Sequence, residues 1–208
     1  MQPGETVLVH GAAGRVGVAA LELGKLAGVH LIGTASARDR AAVERLGAVA
    51  IDCHNEDFLA RVHELTAGRG VDVVLDGIGG AVSLRSFRAL RVGDQIKGDP
   101  GGRLILIGNY NTMVRGRKSW RGWLEWYPAT VIVWFWGALA PPTGERRVQK
   151  LRIPHQDWFR EDYHVLLELL RAGKIHPVVA ERLPLSDARR AHELLESSAA
   201  RGKLVLVP

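Results

Sequence analysis

The chain has 208 residues, 47% of them hydrophobic, with 28 Lys and Arg against 22 Asp and Glu. That suffices for one substantial core and at most a small appendage. The basic excess is scattered as single arginines, which argues against a nucleic-acid partner, and the single cysteine, Cys53, excludes an intrachain disulfide.

Met1-Gln2-Pro3-Gly4 runs straight into a strand pattern, with no charged leader and no apolar signal region. Together with the lone cysteine this sets the expectation of a cytoplasmic protein in a reducing compartment. The first half then alternates short β-branched runs with helical patterns. Residues 7–9 form the first strand, after which Val16, Ala20, Leu23 and Ala27 share one helical face until Gly28 stops it. "VHLIGTA" is the second strand, "ARDRAAVERLG" a helix closed by Gly47, and "AVAID" the third strand. "EDFLARVHELTAG" is a helix closed by Gly68, "VDVVLDG" the fourth strand, 82–90 a helix, and "GRLILIG" the fifth strand. Strand and helix in strict alternation, with strands apolar almost throughout, predict an α/β fold: a doubly wound parallel sheet covered on both faces, the Rossmann arrangement.

The stretch 109–143 breaks the rhythm. It carries Trp120, Trp123, Trp126, Trp134 and Trp136, and from 126 to 144 no residue is charged. Its centre, "ATVIVWFWGALA", is apolar for 12 residues between Pro128 and the pair Pro141-Pro142. A membrane-spanning helix needs about 20 apolar residues, so this run predicts a buried strand or helix, or a contact surface, and no membrane span. So much aromatic surface predicts a homo-oligomer or a partner contact; the alternative is that the insert folds back over its own sheet. A sixth strand, "RVQKLRI", follows, then a helix from about Arg160 with Val165, Leu166, Leu169 and Leu170 on one side and Gly173 as its stop. The tail holds a short strand, a helix capped by Ser186 or Asp187, and a last strand over 203–207. The expected division is a dinucleotide-binding domain over 1–174, with the Trp-rich insert at 111–144, and a C-terminal segment over 175–208.

The chemistry-bearing motif is "HGAAGRVG", with Gly11, Gly14 and Gly17 spaced by three at a strand-to-helix turn. In such a turn the first glycine allows the sharp bend, the second lets the backbone approach a pyrophosphate, and the third permits close packing of the helix. The helix N-terminus then offers free N–H groups and its positive dipole end to the phosphates. The end of the second strand, "TASARDR", has no acid at the strand end where a ribose 2′-hydroxyl would be held. Instead Ser36, Arg38 and Arg40 offer donors suited to a 2′-phosphate, while Asp39 works against that assignment. The alternative is that both arginines merely solvate a helix turn. No CxxC or HExxH pattern predicts a metal, no GxSxG elbow predicts a nucleophile, and the eight histidines are dispersed.

"GETVLVHGAAGRVGVAALELGKLAG", "LIGTAS", "VDVVLDGIGG", "GGRLILIG", "GKIHPVV" and "PLSDARRAHELLESSAARGKLVLVP", in this order, resemble the zinc-independent quinone oxidoreductase branch of the medium-chain dehydrogenase/reductase superfamily. The resemblance runs from Gly4 to Pro208 except over about 111–144. It implies an NADPH-binding sheet paired with an N-terminal catalytic domain, and hydride transfer to a quinone or a conjugated alkene or carbonyl. It further implies that Ala12, Ala13, Gly14, Arg15 and Val16 surround the pyrophosphate, that Arg40 and Ser36 meet the 2′-phosphate, and that Asp76-Gly77 and Ile107-Gly108-Asn109 flank the nicotinamide ribose. Cys53 stands where some members have a tyrosine near the adenosine. The chain begins where the family's second domain begins, so the resemblance implies a fragment, a mis-started reading frame, or a subunit that takes its catalytic domain from a partner, with the tail from Ile175 packing on that domain. A non-catalytic dinucleotide-binding or interaction module is the alternative.

Overall fold

A computed structural model of the chain describes residues 1–94, 99, 101–108, 113–114, 117–118, 120–139, 147–150, 158–197 and 202–208. Strand β1 (Thr6–Val9) is followed by α1 (Arg15–Leu26), β2 (His30–Ala35), α2 (Arg40–Arg45), β3 (Ala48–Asp52), α3 (Phe58–Leu65), β4 (Val73–Asp76), α4 (Ala81–Ala89) and β5 (Arg103–Leu106). Next come the two-residue strands β6 (Met113–Val114) and β7 (Arg117–Lys118), α5 (Trp120–Leu139), β8 (Arg147–Lys150), α6 (Trp158–Arg171), β9 (Val179–Pro184), α7 (Ala188–Glu196) and β10 (Lys203–Val207).

Six strands form one sheet in the order β3-β2-β1-β4-β5-β8, every pair parallel. Side chains alternate across it. Val7, Val9, Val73 and Leu75 join Leu21, Leu31 and Val43 in a core on one face, while Leu8, Val74 and Leu104 join Phe58, Val62 and Phe87 on the other. Burial on both faces is why these strands read as unbroken apolar runs. The expected helix stops Gly28, Gly47, Gly68 and Gly173 all have positive φ, 69°, 86°, 81° and 63°.

Two local expectations changed. The single helix foreseen over 37–47 is split into a 3-10 turn, Ala37–Asp39, and α2. The Asp39 amide donates to the Ser36 carbonyl at 2.9 Å and the Ser36 hydroxyl to Asp39 at 2.6 Å, so the first turn closes over three residues rather than four. Asp187 occupies the N-cap position of α7, but its side chain makes no capping hydrogen bond. A 3-10 turn, Leu185–Asp187, feeds directly into the helix and its Leu185 carbonyl takes the Ala188 amide.

The apolar insert takes the helical alternative. Its centre belongs to a 20-residue helix, α5, with Pro128 inside it. Ala129 and Val133 are buried, Val133 in the core beside Phe87 and Leu90, so α5 folds back against α4 and the sheet. The opposite stripe, Trp120, Leu124, Tyr127, Val131 and Phe135 at helical spacing, is exposed. No described helix is long and apolar enough to cross a membrane. In the tail, β9 and β10 form a separate parallel pair.

Candidate functional site

The chain leaves β1 toward β2 and β3 on one side and later returns to β4 and β5 on the other, so the order of the sheet reverses beside β1. In such sheets the loops at the carboxyl ends diverge at this point and ligands bind in the crevice between them. The glycine turn, Ser36, the Gly77 turn and the Ile107 turn all lie at that edge.

The turn from His10 to Gly17 is built on backbone contacts. Gly11 has φ +64° and Gly14 donates its amide to the Gly11 carbonyl at 2.8 Å. A Cβ on Gly17 would stand 2.4 Å from the Gly11 oxygen and 2.6 Å from Ala12 Cα, so the third glycine seats the helix against the turn itself rather than against the strand. Ala13, Gly14, Arg15 and Val16 are exposed on the rim, whereas Ala12 is fully buried and donates its amide to the Thr34 carbonyl at 2.9 Å. Ala12 thus plugs the turn from beneath. Gly33, which sequence reasoning passed over, makes room for it, because a Cβ there would lie 2.6 Å from Ala12 Cβ. A glycine inside a strand pattern signals such a close approach. No side chain caps α1 at Gly14, so the first-turn amides are left for a ligand.

Below the turn lies a buried polar network that the dispersed histidines did not suggest. His10 Nδ1 is 3.1 Å from Thr34 Oγ1, and its Nε2 is 2.9 Å from Ser86 Oγ on α4. Thr34 Oγ1 also accepts the Gly11 amide at 3.2 Å, so the ring ties the turn to β2 and α4. Burial pushes the His10 pKa below its ordinary value, against an opposing pull from Asp76 and with help from Arg85. The folded chain therefore keeps the ring neutral where the unfolded chain takes up a proton. This contribution is intact above about pH 6.5 and is lost as pH falls from there toward the depressed folded value. Thermal midpoints recorded from about pH 8 to about pH 5 should fall on the acid side, and His10→Gln should flatten that slope. Equal slopes in parent and variant would assign the effect elsewhere; Glu5, held low by its hydrogen bonds from Arg103, titrates outside this window.

At the end of β2 the three expected phosphate donors are brought together, already engaged by carboxylates. Ser36 donates to Asp39 at 2.6 Å, Arg38 Nε lies 3.3 Å from the same oxygen, and Arg40 Nη2 donates to Glu56 at 2.5 Å. Glu56 also accepts the Asp52 amide at 2.9 Å, which anchors it to the end of β3. Cys53, just beyond β3, is exposed, with its thiol pushed up by partial desolvation and by Asp52.

Asp76 lies beneath the crevice floor rather than on it. Its carboxylate is fully buried, accepting the Ile78 and Gly79 amides at 2.8 and 3.1 Å and the Ser83 hydroxyl at 2.6 Å. It shapes the β4–α4 turn. Gly77 and Gly108 are at the surface of that floor, and a Cβ on Gly108 would come within 3.1 Å of the Gly77 carbonyl. Ile107 packs alongside and donates its amide to the Asp76 carbonyl at 2.8 Å. Asn109 falls outside the described residues.

A family model described as zinc-binding dehydrogenase matches residues 46–206. The chain belongs to that family. Quinone oxidoreductase 1 of Escherichia coli is 31% identical over 212 residues, covering all of this chain and 58% of the relative. The 2-haloacrylate reductase of a Burkholderia species is 26% identical, covering all of this chain and 57% of that protein. Among solved structures, an Escherichia coli quinone oxidoreductase complexed with NADPH superposes with a TM-score of 0.74 at 30% identity, again over all of this chain and 58% of that one. The chain thus spans somewhat more than half the length of these relatives, which places it in the cofactor-binding half of the medium-chain dehydrogenase/reductase architecture. The family description implies zinc; among the described residues no three His, Cys, Asp or Glu side chains converge to hold a metal ion.

Proposed function

We propose that the chain is the cofactor-binding half of an NADPH-dependent oxidoreductase that reduces a quinone or a conjugated alkene or carbonyl. The observation that carries this reading is the uncapped glycine turn at the point where the sheet reverses, with a hydroxyl and two guanidiniums at the neighbouring strand end. When bound, NADPH supplies the hydride. The exposed rim over 13–16 receives the pyrophosphate, Ser36, Arg38 and Arg40 receive the 2′-phosphate, and Gly77, Ile107 and Gly108 form a flat floor for the nicotinamide ribose. The names of the relatives support the substrate class. Residues 1–174 make up the dinucleotide domain, and 175–208 return to a catalytic domain. Exposed Phe159, Tyr163 and Leu170 on α6 and the outer stripe of α5 support a contact with that domain or with a second copy. The same stripe favours, as a second reading, a non-catalytic interaction module.

Titration calorimetry on the 208-residue chain tests the cofactor. NADPH should bind more tightly than NADH. Loss of a charge-assisted contact costs about 1.5 to 3 kcal/mol, but Arg40 must first release Glu56, so Arg40→Ala should weaken NADPH by roughly tenfold. NADH should be almost untouched. Equal affinities for the two cofactors in the parent would sink the assignment. Oxidation of NADPH by a small quinone, compared between the chain alone and the chain joined to an N-terminal catalytic domain, separates the enzyme from the interaction module.

A further inference from the structure

We propose that Asp39 is a specificity-determining residue that occupies the 2′-phosphate donors and thereby lowers the chain's preference for a 2′-phosphorylated dinucleotide; this rests on the cofactor reading above and deepens it. One carboxylate oxygen, Oδ2, accepts the Ser36 hydroxyl at 2.6 Å and stands 3.3 Å from Arg38 Nε. These are two of the three donors at the β2 end, and they converge on an anion supplied by the chain itself. The carboxylate is also the better sheltered partner, 21% exposed against 61% for Arg38, so it is the fixed member of the pair.

Glu56 does not play this part. It holds only Arg40 among the three donors, and its second role, accepting the Asp52 amide, makes it a support of the β3 end. Asp39 belongs to the turn at the β2 end itself, where its amide closes onto the Ser36 carbonyl. For a 2′-phosphate to bind, Ser36 and Arg38 must exchange the carboxylate for the phosphate, leaving a negative charge within the same three-residue turn as a dianion. A 2′-hydroxyl requires no such exchange and is neutral. The carboxylate therefore acts on one class of nucleotide and not on the other.

The test uses the 208-residue chain and two probes that differ only at the ribose, 2′,5′-ADP and 5′-AMP, with dissociation constants from calorimetry. Asp39→Asn keeps an oxygen that can accept from Ser36 and removes the charge. It should tighten 2′,5′-ADP by roughly tenfold and leave 5′-AMP within about twofold. Asp39→Ser should show the same split, which guards against an effect peculiar to the amide. Variants that shift both probes together, or neither, overturn the selector role while leaving the cofactor reading intact. A parent chain that binds neither probe nor NADPH overturns the cofactor reading, and the selector with it.

Discussion

Gly17→Ala should remove dinucleotide binding and lower the thermal midpoint of the chain together. The added methyl would lie 2.4 Å from the Gly11 oxygen and 2.6 Å from both Ala12 Cα and the Ala12 oxygen, and backbone atoms cannot rotate away as a side chain can. Either α1 lifts from the turn or the turn itself opens. Overpacking of this kind costs about 1 to 3 kcal/mol and occasionally more. In a chain of this size that is a drop in midpoint of roughly 2 to 12 °C. Because the turn and the start of α1 carry the rim, NADPH affinity should fall by more than about tenfold, a larger effect than the stability loss alone would produce. Gly14→Ala makes a useful contrast. Its methyl would meet the Gly11 oxygen at 3.0 Å on the exposed rim, so affinity should fall with little change in melting. A Gly17→Ala chain that melts and binds like the parent would show that the turn can relax freely.

The second large effect is expected at Asp76. Asp76→Ala would leave the Ile78 and Gly79 amides and the Ser83 hydroxyl without their acceptor in a fully buried site. At about 1 kcal/mol or more for each orphaned donor, the loss should be roughly 3 kcal/mol. Asp76→Asn should recover most of it. Its carbonyl oxygen can accept both amides, and its amide can donate to Ser83 once that hydroxyl turns round. Denaturant midpoints of the three proteins, at constant slope, would check the ordering. If alanine and asparagine cost the same, charge rather than hydrogen-bond satisfaction holds the turn. Since Gly77 follows Asp76 directly, the alanine variant should also loosen the floor on which the nicotinamide ribose is proposed to rest.

The order of strands and helices, the helix stops and the position of the glycine turn were determined by the sequence itself, because they depend on local chemistry. Gly28 and Gly173 end helices through their own backbone freedom, and Val7-Leu8-Val9 announces a strand buried on both faces whichever residues cover it. Family membership was legible for the same reason: short motifs in a set order survive without their contacts. The apolar run at the centre of α5 was ambiguous, since burial without periodicity suits a strand or a helix equally, and only its packing against α4 decided the matter. The candidate site divides along the same line. Its glycines could be named from spacing, but His10 is a buried tie only because Ser86, 76 residues away, is brought beneath it by α4. Arg40 meets Glu56 across 16 residues, and Asp76 turns inward because the amides of its own turn point at it from a dry interior. A donor's type is written in the sequence. Whether it faces a ligand or an internal carboxylate depends on which charges folding leaves with no water to take their place, and only the tertiary structure decides that.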